Sequence, residues 1–149
     1  MIEAYLMQEK ERNAQGIPAL PLNPEQTTSL CELLQSPPAG KEEFLMSLFT
    51  ERVSPGVDPA AEVKAGFLAD ILTGTRKSPL IDKKQAVQIL GTMIGGYNVQ
   101  PLISALSDAS LADDAASALS GLTYLYDAAA QVLELAKSNT AARKVAESW

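Results

Sequence analysis

Histidine is absent from this 149-residue chain, and cysteine occurs once, at Cys31. The first absence removes the commonest general base and the commonest zinc ligand. The second leaves no internal disulfide and no metal site built from thiolates. Aromatic residues make up 5% of the chain, and that scarcity, set beside many Ala and Leu, favours helices over a sandwich or barrel. No apolar run nears the roughly 20 residues that a membrane span needs. The opening Met1-Ile2-Glu3-Ala4-Tyr5-Leu6 lacks the basic start and apolar centre of a secretory signal. The expectation is a cytoplasmic protein.

Positive charge is also in short supply. Twelve Lys and Arg stand against 18 Asp and Glu, a net charge of −6. Such a field disfavours phosphate backbones and anionic headgroups, so neither nucleic acid nor a membrane surface is an expected partner. Pairs such as Arg76-Lys77 and Lys83-Lys84 read as solvated helix surface. What is present is ordinary globular material: 46% apolar and 20% charged residues lie outside the disordered regime. A chain of this length forms one domain, residues 1–149, burying roughly 68–70% of its unfolded surface.

Apolar residues recur at helical spacing almost from end to end. Leu30, Leu33 and Leu34 share a face of a helix starting at Pro24, with Asn23 as N-cap. After the stop signal Ser36-Pro37-Pro38-Ala39-Gly40, Phe44, Leu45, Leu48 and Phe49 define a second helix. Glu42 and Glu43 sit in its first turn, where the dipole favours carboxylates. Asp58-Pro59 opens a helix that buries Val63, Phe67 and Ile71 and stops at Gly74. Asp82 caps the next, whose stripe Ala86, Val87, Leu90, Met93 and Ile94 is predicted to run to Gly95-Gly96.

A short helix follows with Val99, Leu102, Ile103 and Leu106, and Pro101 in its first turn. Asp108 or Ser110 starts another, carrying Leu111, Ala115, Ala118 and Leu119. The last long helix holds Leu122, Leu125, Tyr126, Ala129, Val132 and Leu133. Ser138-Asn139 breaks it before a final segment from Ala141 to Trp149, and Ile2 to about Ala14 is helical as well. No stretch alternates with period two long enough to be a strand. The fold class is all-α, with antiparallel helix pairs; their stacking as a short HEAT-like α-solenoid is the expected arrangement, although no sequence repeat at a fixed period marks it.

Candidate chemistry is thin. Adjacent carboxylates at Glu42-Glu43 and Asp113-Asp114 point about 100° apart on a helix and cannot share a proton as a dyad does. Cys31 lies beside an apolar stripe without a basic neighbour in sequence, which suits a structural thiol better than a nucleophile. Gly95-Gly96-Tyr97-Asn98 is different. Two glycines open backbone conformations closed to other residues and permit close approach of another surface. Its ordinary reading is a helix stop followed by an N-cap; its functional reading is a contact surface for a neighbouring domain. It is no nucleotide-binding loop, because no strand precedes it. The ending Ala146-Glu147-Ser148-Trp149 falls in mid-helix without a stop signal, as expected of a segment from a longer polypeptide.

Three blocks carry a family resemblance: Pro37 to Leu45 with Arg52 to Leu68, Lys77-Ser78-Pro79-Leu80, and Ala86 to Ile103. Together with the rest of the chain they resemble the N-terminal, HEAT-like helical domain of bacterial aconitase B. The resemblance implies a parent hydro-lyase of the citric acid cycle that interconverts citrate and isocitrate through cis-aconitate, with 2-methylisocitrate dehydration as a further activity. It implies a [4Fe–4S] cluster in the parent, ligated by downstream cysteines, and no cofactor or catalytic residue in this chain.

For the domain itself, the resemblance implies packing on downstream catalytic domains, shaping of access to the active site, and protein–protein contact including a homodimer. The packing role falls first to Gly95, Gly96, Tyr97 and Asn98, with Gln100 beside them. The chain departs from the family at Gln100, where His is common, and at Ser120-Gly121 in place of a Ser-His pair. It also departs at Ala128-Ala129-Ala130, where an aromatic-rich stretch is usual. The alternative is a free-standing helical adaptor that has kept the fold without the enzyme.

Overall fold

Four helices begin on a side chain that satisfies their free amides, and these caps set the architecture. The computed structural model describes residues 1–122 and 126–149, with side chains for all of these except 126 and 127. The described residues form helices α1 (Ile2–Ala14), α2 (Pro24–Gln35), α3 (Glu42–Glu51), α4 (Pro59–Thr73) and α5 (Lys83–Gly91). They continue as α6 (Val99–Ala105), α7 (Ala112–Ser120), α8 (Tyr126–Ala136) and α9 (Thr140–Ser148). No strand occurs among them. Asn23 and Gln26 cap α2 reciprocally, as Asp82 and Gln85 cap α5. In each pair the side chain accepts from the partner's backbone N–H, so two otherwise unpaired donors are satisfied together. Asp58 accepts from the Ala60 amide at 2.8 Å at the head of α4, and Gly74 closes that helix at φ +81°.

The helices stack in pairs, α2 with α3, α4 with α5, α6 with α7 and α8 with α9. In one layer α2 packs on α4, α4 on α6 and α6 on α8; in the other α5 packs on α7 and α7 on α9. The result is a solenoid-like all-α arrangement, its helical class as the periodicity predicts and its stacking as expected. Asn139 shows how the layers are tied. Its Oδ1 accepts from the Ala142 amide at 3.0 Å to cap α9, while its Nδ2 donates to the Leu106 carbonyl at 2.8 Å at the end of α6.

Helix α1 lies at the opposite end, held through Arg52. The guanidinium donates to the Tyr5 hydroxyl at 3.1 Å and to the Ala19 carbonyl, and the Arg52 carbonyl accepts from the Leu22 amide at 2.9 Å. One residue past α3 therefore fixes both α1 and the segment that follows it.

Several expectations are corrected. Helix α5 stops at Gly91, not at Gly95-Gly96, and Ile94 is 61% exposed although Met93 is buried. Past Gly91 the chain turns, and the Asn98 side chain holds that turn by donating to the Leu90 and Met93 carbonyls. Helix α7 approaches so closely that a Cβ on Gly91 would stand 3.1 Å from the Ala118 Cβ, and the chain turns immediately afterwards. Helix α7 begins at Ala112 after Leu111 rather than on Asp108 or Ser110. The Asp108 carboxylate instead accepts from the Ser110 amide and hydroxyl at 2.9 and 2.6 Å within the preceding turn.

Leu122 lies in the turn after α7 rather than in α8; Leu125 and the Tyr126 side chain fall outside the described residues. Leu133, expected on an apolar face, is 57% exposed because α8 packs only on α6 and α9. On α4, Phe67 and Ile71 are buried as expected, but Val63 is only half-buried.

Lys64 takes the position Val63 was expected to fill. Helix α4 is covered by α2, α5 and α6 together, so burial spreads around it and takes in this lysine at 2% exposure. Its ammonium stands 5.2 Å from the centre of the Phe49 ring, an attraction that partly offsets lost hydration. Burial lowers its pKa from 10.5 to about 8, opposed weakly by Cys31. The sign follows from proton binding. Between about pH 8 and 10.5 the unfolded chain holds a proton that the folded chain has released, so stability rises with pH through that window.

Below pH 8 the full penalty stands, on the order of 3 kcal/mol. Lys64→Met is therefore expected to raise stability near pH 7 by roughly 1–3 kcal/mol, and the gain should vanish near pH 10.5. Urea midpoints of variant and parent at both pH values check this.

Candidate functional site

Reactive groups are dispersed rather than gathered. No group of three or more Cys, Asp or Glu able to hold a metal ion occurs among the described residues. Cys31 is buried, and burial pushes its thiol up to about 12 against the pull of Arg76 and Lys64, so it is protonated at neutral pH and a poor nucleophile. Asp113 and Asp114 are engaged separately, with Lys144 at 3.2 Å and Lys84 at 3.8 Å. These pairs bind α7 to α9 and to α5. A recess of about 140 Å³ between α4 and α6 is mostly apolar, lined by Leu72, Pro101, Ala105 and Leu111 with Thr73, Ser104 and Asp108 at its polar positions.

The place where the chain does something unusual is the crossing of two loops. After α5 the backbone runs through Met93 to Asn98 and meets the segment from Pro55 to Asp58 that precedes α4. The Ile94 amide donates to the Pro55 carbonyl at 2.7 Å. Gly95, at φ +95°, lies so near that a Cβ there would stand 2.6 Å from the Gly56 carbonyl carbon and 2.8 Å from its oxygen. Only glycine fits, on grounds of both conformation and space. Gly96 follows at φ +100° with open space around it. The Tyr97 hydroxyl then donates to the Val57 carbonyl at 3.4 Å.

Asn98 locks the crossing from inside. Its side chain is 1% exposed, and its Nδ2 donates to the Leu90 carbonyl at 2.7 Å and the Met93 carbonyl at 3.0 Å. The Leu90 carbonyl lies in the last turn of α5 and also accepts from the Met93 amide at 3.1 Å; the Met93 carbonyl lies in the turn beyond the helix. Val57 and Ile94 are left on the outside, 75% and 61% exposed. The result is a hydrogen-bonded knuckle with two branched aliphatic side chains exposed to water.

The five sequence-predicted contact residues thus divide. Gly95 and Asn98 are engaged within this chain, the one against Gly56 and the other against α5. Gly96 is at the surface, and Tyr97 is half-buried against the knuckle. Gln100 is the second residue of α6, its Nε2 donating to Gln131 Oε1 on α8 at 2.9 Å. That pair rims an open groove of about 500 Å³ between α6 and α8, with Ile103 and Leu135 also lining it. Sequence reading missed the partner loop. Pro55, Gly56 and Val57 carried one usable signal, a Pro-Gly turn followed by an apolar residue with no helical stripe to join.

Stacked helix pairs, two interlocked loops and no gathered reactive side chains among the described residues define a class: a small all-α module whose conspicuous features are surfaces. Residues 4–149 match the profile of the aconitate B N-terminal domain, and the chain belongs to that family. It is 54% identical over its whole length to aconitate hydratase B of Pseudomonas aeruginosa PAO1 and 53% identical to that of Escherichia coli K12. Against aconitate hydratase B of Helicobacter pylori J99 it is 40% identical over 99% of its length. The chain spans 17% of the length of the first two relatives and 18% of the third.

The knuckle yields contrasting expectations for neighbouring substitutions. Gly96→Ala should cost roughly 1–3 kcal/mol from its backbone conformation alone. Gly95→Ala should cost more, because the Gly56 backbone must also move. Asn98→Ala removes the side-chain donor of the Met93 carbonyl, while the Leu90 carbonyl keeps the Met93 amide, a loss of about 1–3 kcal/mol. Asn98→Asp is expected to be worse, since it sets a carboxylate against two acceptors. Chemical denaturation of the four variants gives the ranking.

Proposed function

We propose that this chain is the helical N-terminal module of an aconitate hydratase B. It forms a single HEAT-like unit, residues 1–149, that supplies surfaces rather than catalytic groups. One observation carries the reading: the family match covers residues 4–149, while the chain accounts for 17% of relatives named for the hydratase activity. The whole polypeptide would interconvert citrate and isocitrate through cis-aconitate, with 2-methylisocitrate dehydration as a further activity. The module packs on the catalytic domains, shapes the approach to the active site and offers contacts to other proteins, a second copy among them. The solvated, net-negative surface and the lack of a described helix long and apolar enough to cross a membrane accord with work in the cytoplasm.

The residues present do not fit an iron–sulfur cluster. Such a cluster needs several thiolates, whereas Cys31 is the one cysteine, buried and protonated. In this reading the [4Fe–4S] cluster of the parent enzyme is held entirely by cysteines outside these residues. The chain's own groups shape and support, and none of them moves a proton on substrate.

The test is turnover of citrate or cis-aconitate under anaerobic, iron-replete conditions. The 149-residue chain is expected to show none and to retain no iron after gel filtration, whereas a polypeptide of the relatives' length carrying it is expected to be active. Turnover by the isolated chain would refute the reading.

A further inference from the structure

Helices α1 to α3 meet the rest of the stack along one seam. The principal helix contact across it is α2 on α4, while α3 packs on α2. Polar ties across the seam are few. Among the described residues one hydrogen bond spans it, from the Ser78 hydroxyl to the Leu34 carbonyl at 2.6 Å, and no ion pair does. Apolar packing does most of the holding, with the Phe49 ring of α3 edge-on to the Phe67 ring of α4 at 5.8 Å.

Lys64 lies inside this seam. It is 2% exposed, its ammonium stands 5.2 Å from the centre of the Phe49 ring, and it is near enough to Cys31 of α2 for each to bias the other's ionisation. No carboxylate pairs with it among the described residues, and a buried charge without such a partner is costly. The surrounding elements give it no relief. Glu25 and Glu32 on α2, Glu43 and Glu51 on α3 and Glu62 on α4 are exposed, and Glu42 is half-buried. Lys83 and Lys84 on α5 are exposed, α6 carries no charged residue, and Arg76 is paired with Asp70 at 3.0 Å. The ammonium is fully hydrated only when α2 and α3 move off α4.

We propose that this seam is a hinge of the module and that the charge on Lys64 sets how often it opens. With the ammonium protonated, α1 to α3 swing away from α4 more readily; with the amine neutral, the stack stays closed. The hinge does not depend on the function proposed above. Its pivot is the chain between α3 and α4, which is pinned at Pro55 by the Ile94 amide at 2.7 Å, and a few such loop residues suffice to absorb the motion. The sign follows from proton binding. The open form holds its proton as an exposed lysine does, up to 10.5, whereas the closed form releases it at about 8. Opening is therefore most frequent below pH 8 and declines between 8 and 10.5.

Cys31 reports the motion, being the one cysteine and buried against the same seam. Its alkylation by iodoacetamide in the 149-residue chain is followed by mass at pH 7 and pH 9.5. Each rate is divided by that of the urea-unfolded chain at the same pH, which removes the thiol's own titration. Protection is expected to rise roughly tenfold or more between the two pH values. Low urea should alter the rate little, because opening a seam exposes less surface than unfolding the chain. In Lys64→Met, protection is expected to exceed the parent's at pH 7 and to stay flat with pH; Lys64→Gln serves the same comparison if the methionine variant does not fold. Protection independent of pH in the parent chain would overturn the proposal. A urea dependence equal to that of whole-chain unfolding would overturn it as well, since Cys31 would then be reached only when the entire core is lost. A pH effect kept in the neutral variants would place the charge elsewhere and sink it too.

Discussion

The carboxamide of Asn98, buried at the head of α6, ties that helix back to the end of α5. It donates to the Leu90 carbonyl, which also accepts from the Met93 amide, and to the Met93 carbonyl in the turn beyond the helix. The chain leaves α5 at Gly91, turns through Met93, and crosses to the loop before α4. From that crossing follow the close contact of Gly95 with Gly56 and the exposed pair of Val57 and Ile94. One buried side chain thus connects the end of α5, loop packing and the aliphatic surface left exposed.

The rest of the module is built from the same kind of economy. Asn139 caps α9 and holds the end of α6; Arg52 positions α1 and the segment after it. Polar side chains inside this protein do structural work on backbone groups, and no buried polar side-chain atom lacks a partner among the described residues. Lys64 stands apart, because its partner is the face of Phe49 rather than a carbonyl or carboxylate.

Much of the helix framework was legible because caps and periodicity are local. Asn23-Pro24, Asp58-Pro59, Gly74, Asp82 and Asn139 each act within about one turn of helix, and each performs as its residue type predicts. The misreadings share a different origin. Ile94 continues an apolar stripe in sequence but lies beyond the end of α5, in the turn that Asn98 holds. Val63 yields the deep position to Lys64 because three neighbours cover α4, and Leu133 is exposed because α8 has few. The candidate site was half visible: Gly95 to Asn98 stood out by composition, while Pro55 to Val57 became part of it only through the fold.

Residue type and spacing by themselves determined that the chain is helical, where most helices start, and that it lacks the thiols and imidazoles for metal or nucleophilic chemistry. These properties belong to single residues or to one turn, and no distant contact is needed to establish them. Tertiary structure alone decided which apolar residues are covered and which glycine is sterically obligatory. It also decided that the asparagine closing the motif turns inward while a valine some forty positions earlier turns out. Burial depends on which helices become neighbours, and that is a property of the folded stack rather than of any stretch of sequence.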